Sequence, residues 1–164
     1  MIHEWQRDRY TISTDKRRIN TDVVLQFLAT SYWAASRAPE TTLRAIQHSL
    51  CFGVYDGDQQ IGFARVTTDF ATIGYIGDVF VIEAYRGRGL AHWLIECVLA
   101  HPELQGLRRW ILTTRDAFKL YEKSGFGPLV MPDRWMERAA PWAYNQPPID
   151  QIEEIHDGTT DRPS

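Results

Sequence analysis

The sequence predicts one domain of the mixed α/β class, with a mostly antiparallel sheet of six to seven strands flanked by about four helices. Three observations lead to this prediction: short β-forming segments, an Asp56-Gly57 dipeptide typical of a tight hairpin, and a strand–helix–strand order around a glycine-rich turn. The length of 164 residues suits one domain. We place this domain at residues 1–140 and a weakly packed tail, rich in Pro, Asp, Glu and Thr, at 141–164.

The first half of the chain supplies the antiparallel strands. Alternating, β-branched and aromatic segments predict strands at 9–13, 51–55, 61–67 and 73–81. Apolar residues at helical spacing predict helices at about 20–34 and 39–50, the first capped by Asn20 or Thr21 and the second begun by Pro39. The last three of these strands should form a meander.

The second half begins with a crossover. An apolar stripe predicts a helix from Leu90 to about His101, and the next strand, 109–113, must then run parallel to the strand before the helix. Asp116 is a candidate cap for a short helix that Gly125 would end in the left-handed conformation. The remaining predicted strands are 126–131 and 134–137.

Composition limits the classes of function. A net charge of −3 and an isoelectric point near 5.9 argue against a dedicated nucleic-acid binder. No apolar run is long enough for a membrane helix and the N-terminus lacks a signal-peptide core, so we expect a cytoplasmic protein without a membrane partner. Cys51 and Cys97 lie in apolar runs and are interpreted as buried free thiols. No His/Cys group has metal-ligand spacing in the sequence, so no metal is expected.

The segment Arg86-Gly87-Arg88-Gly89-Leu90-Ala91 is the strongest candidate for a binding site. It follows an apolar strand and opens a helix, so its backbone N–H groups and the helix dipole favour an anion. The dinucleotide fingerprint fails at His92, and no Gly-Lys-Ser/Thr of a P-loop is present in the sequence. A phosphate or pyrophosphate is the expected ligand.

Three motifs in order resemble the GCN5-related N-acetyltransferase (GNAT) family. Arg86, Gly89 and Ala91 fit its acyl-CoA motif Q/R-x-x-G-x-G/A, and residues 55–64, ending in Gly-Phe-Ala, resemble its second hairpin. Residues 117–126 are similar to its Ala-x-x-Leu-Tyr-Glu-Lys-x-Gly-Phe segment. The resemblance spans about residues 10–137 and implies the acyl-CoA N-acyltransferase fold.

The resemblance implies that acetyl-CoA is the co-substrate. In the family the loop amides bind the pyrophosphate and the preceding strand binds the pantetheine arm through its backbone. The residues to which these roles transfer are Val79, Phe80, Val81, Arg86, Gly87, Arg88, Gly89, Leu90 and Ala91. Thr114 stands where the family often has Asn, and it keeps the ability to donate a hydrogen bond. For Arg86 and Arg88 the alternative is a solvated turn.

The implied reaction is direct attack of an amine on the thioester. Tyr121, from the Leu-Tyr-Glu-Lys motif, is the candidate acid for the leaving thiolate, and the alternative is a plain helix–sheet aromatic. An N–H of Val81 or Phe80 would stabilise the oxyanion. Some polyamine acetyltransferases of the family have Glu where this chain has Gly77, so the candidate base or amine anchor is Asp78. The alternative for Asp78 is a buried carboxylate that bonds a nearby loop.

The acceptor is expected to be a small-molecule or peptide amine. Tyr32 and Trp33 could form a wall of its site, or be core aromatics, and Asp69 and Phe70 at the meander turn are further candidates. A non-catalytic acyl-CoA-binding module of the same fold stays open as an alternative. A homodimer is also open, with contacts from Trp135, Trp142 and Tyr144.

Overall fold

A computed structural model describes residues 1–141 and 143. Within these residues the chain forms one six-stranded sheet in the order β1-β2-β3-β4-β5-β6 and four α-helices. The strands are β1 Glu4–Arg7, β2 Tyr10–Ser13, β3 Leu50–Asp56, β4 Gln59–Thr68, β5 Ile73–Val81 and β6 Arg109–Ile111. The helices are α1 Thr21–Ala29, α2 Pro39–Gln47, α3 Leu90–Leu99 and α4 Phe118–Glu122. The predicted fold class is therefore confirmed.

Compared with the prediction, the sheet has one additional strand, β1, at the start of the chain and lacks the last two predicted strands. β1 was not expected, but it pairs antiparallel with β2 and places Trp5 against the core. The strands predicted at 126–131 and 134–137 are wrong, since this segment contains only a 3-10 helix, Pro132–Arg134. Pro128 and Pro132 lack the N–H that a ladder needs, which explains the difference.

The first helix ends five residues earlier than the predicted Ala34, at Ala29. The hydroxyl of Thr30 donates to the Phe27 carbonyl at 2.8 Å, and that of Ser31 donates to the Leu28 carbonyl at 2.8 Å. These side chains satisfy carbonyls that would otherwise bond the next helical turn, so the helix stops. The freed segment, residues 30–38, turns back over the sheet and supplies Trp33 and Arg37 to the site described below.

Two apolar clusters cover the two faces of the sheet. One cluster packs α1 and α2 against residues such as Phe63 and Phe80. Phe27 of α1 stacks on Phe80 with ring centroids 3.9 Å apart. The larger cluster packs α3 and Tyr121 against the other face, which includes Val81. Phe80 and Val81 thus face opposite clusters as strand alternation requires, and their predicted core role is confirmed.

β5 is irregular at its centre. Asp78 has a φ of 51°, and the pairing with β4 shifts register between Phe63 and Arg65. The bulge places both Gly77 and the Asp78 carboxylate beside the same neighbour, Arg65. A non-glycine residue with positive φ costs about 1 kcal/mol or more, so surrounding contacts must hold Asp78 in place.

Two smaller differences lie beyond α3. β6 is shorter than the predicted strand 109–113, although its parallel pairing with β5 is as expected. The short helix is capped differently: the Ala117 N–H donates to Thr114 Oγ1 at 3.0 Å, and Asp116 is not the cap. Gly125 ends this segment with a φ of 85°, as predicted.

The chain divides into two compact units, Met1–Gly127 and the part from Pro128 onward. The tail predicted at 141–164 lies outside the described residues apart from 141 and 143, as do Trp142 and Tyr144. Among the helices of the described residues, none is both long and apolar enough to cross a membrane.

Candidate active site

A gap opens between β5 and β6. The two strands pair only from Ile73↔Arg109 to Tyr75↔Ile111, so within the described residues Gly77 to Val81 have no partner strand on that side. The Ile82 N–H donates to the Ile61 carbonyl on the β4 side at 2.8 Å. Because successive residues of a strand point their polar groups to opposite sides, the N–H and carbonyl of Val81 point into the gap.

Arg86 lies at the other end of the gap, where β5 ends. Its Nε donates to the Val81 carbonyl at 3.2 Å, which agrees with the direction deduced for that group. The backbone donors and acceptors in the gap can therefore bind an extended ligand that contains amide groups, because such a ligand can pair with β5 as an added strand. Of the two N–H groups expected to stabilise an oxyanion, only that of Val81 points into the gap, since Phe80 faces its partner Phe63 on β4.

The glycine loop, defined as residues 86–91, joins β5 to α3 through the 3-10 helix Glu83–Tyr85. Gly87 and Gly89 have φ values of 76° and 71°, and no atom lies within 4 Å of a Cβ built on Gly87. Gly89 is the N-cap of α3 and supplies no side-chain bond to its first N–H groups. An anion can approach these free donors closely, whereas Leu90 is buried and anchors the helix.

Three arginines surround the glycine loop, and one was not predicted. Arg88 donates from Nη1 to the Tyr10 hydroxyl at 2.7 Å, so its head lies over β2. Arg7, from the unexpected strand β1, donates from Nη2 to the Arg88 carbonyl at 3.3 Å and lies 3.8 Å from a Cβ built on Gly89. Only the pairing of β1 with β2 brings Arg7 here, so no local motif could have indicated it.

Tyr121 lies on α4 within the larger core cluster and is 9 % exposed. Burial raises the pKa of Tyr121 to about 12, and the nearby Tyr32, Asp116 and Tyr75 add to the effect. The phenol is therefore neutral at ordinary pH and available as a donor. No hydrogen bond joins its hydroxyl to another described residue, and its ring meets Phe126 edge-on at 6.0 Å.

Tyr32 joins the loop after α1 to the segment before α4. Its hydroxyl accepts the Arg115 N–H at 3.1 Å, and the Arg115 guanidinium lies 3.9 Å from its ring centroid. Tyr32 is also close enough to the predicted acid Tyr121 to help raise the pKa of that phenol. Thr114 accepts the Ala117 N–H with its hydroxyl oxygen, which leaves the hydroxyl proton free to be donated.

Asp78 is the centre of what we call the Asp78 network: Asp78, Trp33, Arg37 and Arg65. Trp33 Nε1 donates to Oδ1 at 3.1 Å, while Arg37 Nη1 and Arg65 Nε donate to Oδ2 at 2.8 and 2.6 Å. Burial alone would raise the pKa of Asp78, but the hydrogen bond from Arg37 and the charge of Arg65 outweigh it and hold this pKa below its usual range. These contacts favour the alternative role for Asp78, a buried carboxylate that holds a loop, because a low pKa makes a weak base.

Asp69 and Phe70 lie elsewhere, at the turn between β4 and β5. The Asp69 carboxylate accepts the Thr72 hydroxyl and the N–H groups of Ala71, Thr72 and Ile73, and the Thr72 bonds hold the pKa of Asp69 well below its usual range. Phe70 lines a cavity of about 260 Å³ with residues that include Lys16 and His48. The structure therefore separates the four predicted acceptor residues into two places.

One group of possible metal ligands also comes together, although the sequence suggested none. His3, His101 and Glu103 bring ligand atoms within 4.8 Å of one another. The Glu103 N–H donates to His101 Nδ1 at 3.3 Å, which places the imidazole proton on Nε2, so in this tautomer neither nitrogen offers a free lone pair. The expectation that the protein uses no metal stays a prediction.

Comparison with known proteins agrees with the fold. Residues 2–126 match the family model of the acetyltransferase (GNAT) family. A crystal structure from Xanthomonas campestris of a protein assigned to the GNAT family is 41% identical, with a TM-score of 0.77, and covers 89% of this chain and 98% of that one. A Gibberella zeae protein named as an acetyltransferase is 28% identical over 143 residues, 73% of this chain and 80% of its own.

A more distant structure shares the fold alone. It is an acetyltransferase from Clostridium acetobutylicum in complex with acetyl-CoA, 16% identical to this chain, with a TM-score of 0.56 and a coverage of 85% and 96%. With its family model matched along most of its length, the chain belongs to the GNAT family of acetyltransferases.

Proposed function

We propose that this protein transfers the acetyl group of acetyl-CoA to a primary amine of a small molecule or peptide. The observation that supports this most is the gap between β5 and β6 ending at an unfilled glycine loop, with Tyr121 beside Tyr75 at the paired end. Free backbone donors meet a pyrophosphate at one end, and a neutral phenol meets the reacting atoms at the other.

Acetyl-CoA would supply the acetyl group as an activated thioester. The amides of the glycine loop and the side chains of Arg7, Arg86 and Arg88 would hold its phosphates. The backbone of Val79 to Val81 would hold the amide-containing arm, with Arg86 moving from the Val81 carbonyl to make room. The Val81 N–H lies at the loop end of this arm, six residues along the strand from Tyr75, so an oxyanion formed beside Tyr121 would need a gap-facing N–H nearer the paired end, such as that of Val79.

Tyr121 would serve the leaving group. Its phenol donates its proton, or a strong hydrogen bond, to the sulfur that leaves. With a pKa of about 12 it is a weaker acid than a free thiol, so the transfer is favourable only because the thiolate forms in the same poorly solvated place. The attacking amine must lose a proton to solvent or to a water, because Asp78 is held by Arg37 and Arg65.

Two measurements test this function. Coenzyme A at millimolar concentration is expected to raise the Tm, because a ligand that binds the folded state stabilises it. Release of free thiol from acetyl-CoA should then depend on an added amine, with acetylated amine found by mass spectrometry. A Tm shift without thiol release for any amine would support a non-catalytic acyl-CoA-binding module, and no Tm shift would contradict both functions.

The remaining sequence-based interpretations belong to the same proposal. The catalytic domain would extend over residues 1–140, and the protein would work in the cytoplasm without a nucleic-acid or membrane partner. A homodimer is a further possibility, for which sedimentation or light scattering is the direct measurement.

A further inference from the structure

The Asp78 network contains more positive than negative charge. Arg37 and Arg65 share one carboxylate, and both donate to the same oxygen of Asp78. Their side chains are 23% and 14% exposed, whereas that of Asp78 is 2% exposed. The carboxylate is thus enclosed, whereas the two arginines, which carry one net positive charge after pairing with it, remain partly accessible to solvent. Such a charge in a partly desolvated place attracts an anion more strongly than an exposed arginine does.

Arg65 has one nitrogen that stays available. Its Nε bonds Asp78, and its Nη1 bonds the hydroxyls of Ser49 and Thr67 at 3.3 and 3.1 Å. Among the described residues Nη2 has no hydrogen-bond partner. The other contacts fix the guanidinium in place, so the free nitrogen points in a set direction and loses little entropy when it binds.

Gly77 has no side chain to cover that nitrogen. A Cβ built on Gly77 would lie 3.5 Å from Arg65 Nη2 and 3.4 Å from Tyr75 Cε1, both ordinary contact distances. A methyl-sized group therefore fits at this position without a clash, and glycine supplies none. The surface left uncovered by a side chain lies between Arg65 and Tyr75.

The reacting centre lies next to this surface. Tyr75, which borders the space at Gly77, is also close enough to Tyr121 to affect its pKa, and its hydroxyl lies 3.2 Å from Thr113 Oγ1. Tyr32 adds a further aromatic wall, with Arg115 over its ring. Arg115 and Asp116 are adjacent in sequence and both exposed. Their opposite charges cancel, so they leave the excess positive charge of the Asp78 network unchanged.

We propose that the acceptor amine carries an anionic group, a carboxylate or a phosphate, which binds Arg65 and Arg37 in the space beside Gly77. The inference rests on the proposed acetyl transfer and names the class of acceptor. The anion pairs with Arg65 Nη2 and with the free nitrogens of Arg37, while the amine extends toward the thioester near Tyr121. A carboxylate or phosphate matches the planar donors of an arginine in a way that a neutral hydroxyl cannot.

The same geometry disfavours a polyamine. A second ammonium group would meet two arginines, with the Asp78 carboxylate enclosed behind them. Asp69, the other acidic candidate for the acceptor site, accepts hydrogen bonds from its own turn instead.

A panel of matched amines tests this proposal by thiol release. Glycine is compared with glycinamide. β-Alanine and 2-aminoethyl phosphate are each compared with ethanolamine, and 1,4-diaminobutane is the cationic amine of the panel. After correction for the fraction of neutral amine, the anionic members should have a kcat/KM at least about tenfold higher than their neutral partners. β-Alanine against 2-aminoethyl phosphate separates a carboxylate from a phosphate acceptor.

Two variants at one position link the preference to this space. Gly77→Glu adds a carboxylate beside Arg65, whereas Gly77→Gln adds the same volume without charge, so any effect of the added volume on folding is shared by the two variants. The Glu variant should lose the preference for anionic amines by about tenfold relative to the Gln variant. Coenzyme A affinity should be equal in both variants, since the glycine loop is unchanged.

The outcomes are distinguishable. Transfer to neutral or cationic amines as fast as to their anionic partners would overturn the inference while leaving acetyl transfer in place. An equal preference in Gly77→Glu and Gly77→Gln would also overturn it, because the anion would then bind elsewhere. Failure of every amine in the panel with intact binding of coenzyme A would instead contradict the proposed function.

Discussion

The glycine loop and the Asp78 network lie at the end and the middle of the same strand, β5, yet they are constructed differently. The loop offers backbone N–H groups, which the positive φ of Gly87 and Gly89 leaves open to a ligand. The network consists of side chains that come from α1–α2, β4 and β5 and depend on one another through Asp78. We therefore expect substitutions in the loop to change affinity for the donor, and substitutions in the network to change stability and the choice of acceptor.

The largest effect should come from the residue that belongs to neither region. Tyr121→Phe removes the proposed acid and is expected to lower kcat by about 10²-fold or more, with unchanged folding and coenzyme A affinity. Steady-state kinetics at saturating acetyl-CoA measure this. Tyr55→Phe is the matched control, because burial also raises the pKa of Tyr55 to about 12 although Tyr55 lies by Arg18, away from the site. An equal kcat in wild type and Tyr121→Phe would remove Tyr121 from the mechanism.

The next effect concerns stability. Asp78→Ala leaves Arg37 and Arg65 partly buried without their carboxylate, and should lower the free energy of unfolding by about 3 kcal/mol. Urea denaturation measures the change. Glu4→Ala breaks the exposed pair with Arg18 and should cost less than about 1 kcal/mol. Equal losses in the two variants would show that the Asp78 network does not hold the loop after α1.

A smaller effect is expected from pH. The folded pKa of Tyr121, about 12, is above the ordinary phenol value, so the neutral form and its contribution to stability are complete below pH ~10 and are lost as pH rises through the folded value. The wild-type kcat should therefore rise as the amine loses its proton and then stay level up to pH ~10. A fall near pH ~9 that is absent in Tyr121→Phe would mean that the phenol ionises much earlier.

The two regions also differ in how far the sequence predicted them. The glycine loop follows from local residues: a strand, two glycines with positive φ and a helix start are neighbours in the chain, so their geometry could be inferred. The family resemblance added the role of Tyr121, which no spacing alone would indicate. The sequence also predicted the meander and the crossover, because the Asp56-Gly57 turn and the stripe of α3 are local signals.

The Asp78 network could not be predicted in this way. Arg37, Arg65 and Asp78 are 13 to 41 residues apart in sequence, and only the early end of α1 and the bulge in β5 bring them together. Their contacts favour the second of the two roles considered for Asp78, that of a buried carboxylate which holds a nearby loop. Arg7 was missed for the same reason, since the position of β1 depends on its pairing with β2.

A calorimetric titration of coenzyme A into Gly89→Ala is the most direct test of the division between loop and network. The φ of 71° disfavours a Cβ by about 1 kcal/mol, so the loop should lose its geometry and the affinity should fall about tenfold. Gly106→Ala, with a φ of 78° away from the loop, has the same backbone cost, and Arg65→Lys perturbs the network instead. We expect both of these to bind coenzyme A as the wild type does. Wild-type affinity in Gly89→Ala, or a tenfold loss in Arg65→Lys, would contradict the assignment of the donor site to the glycine loop.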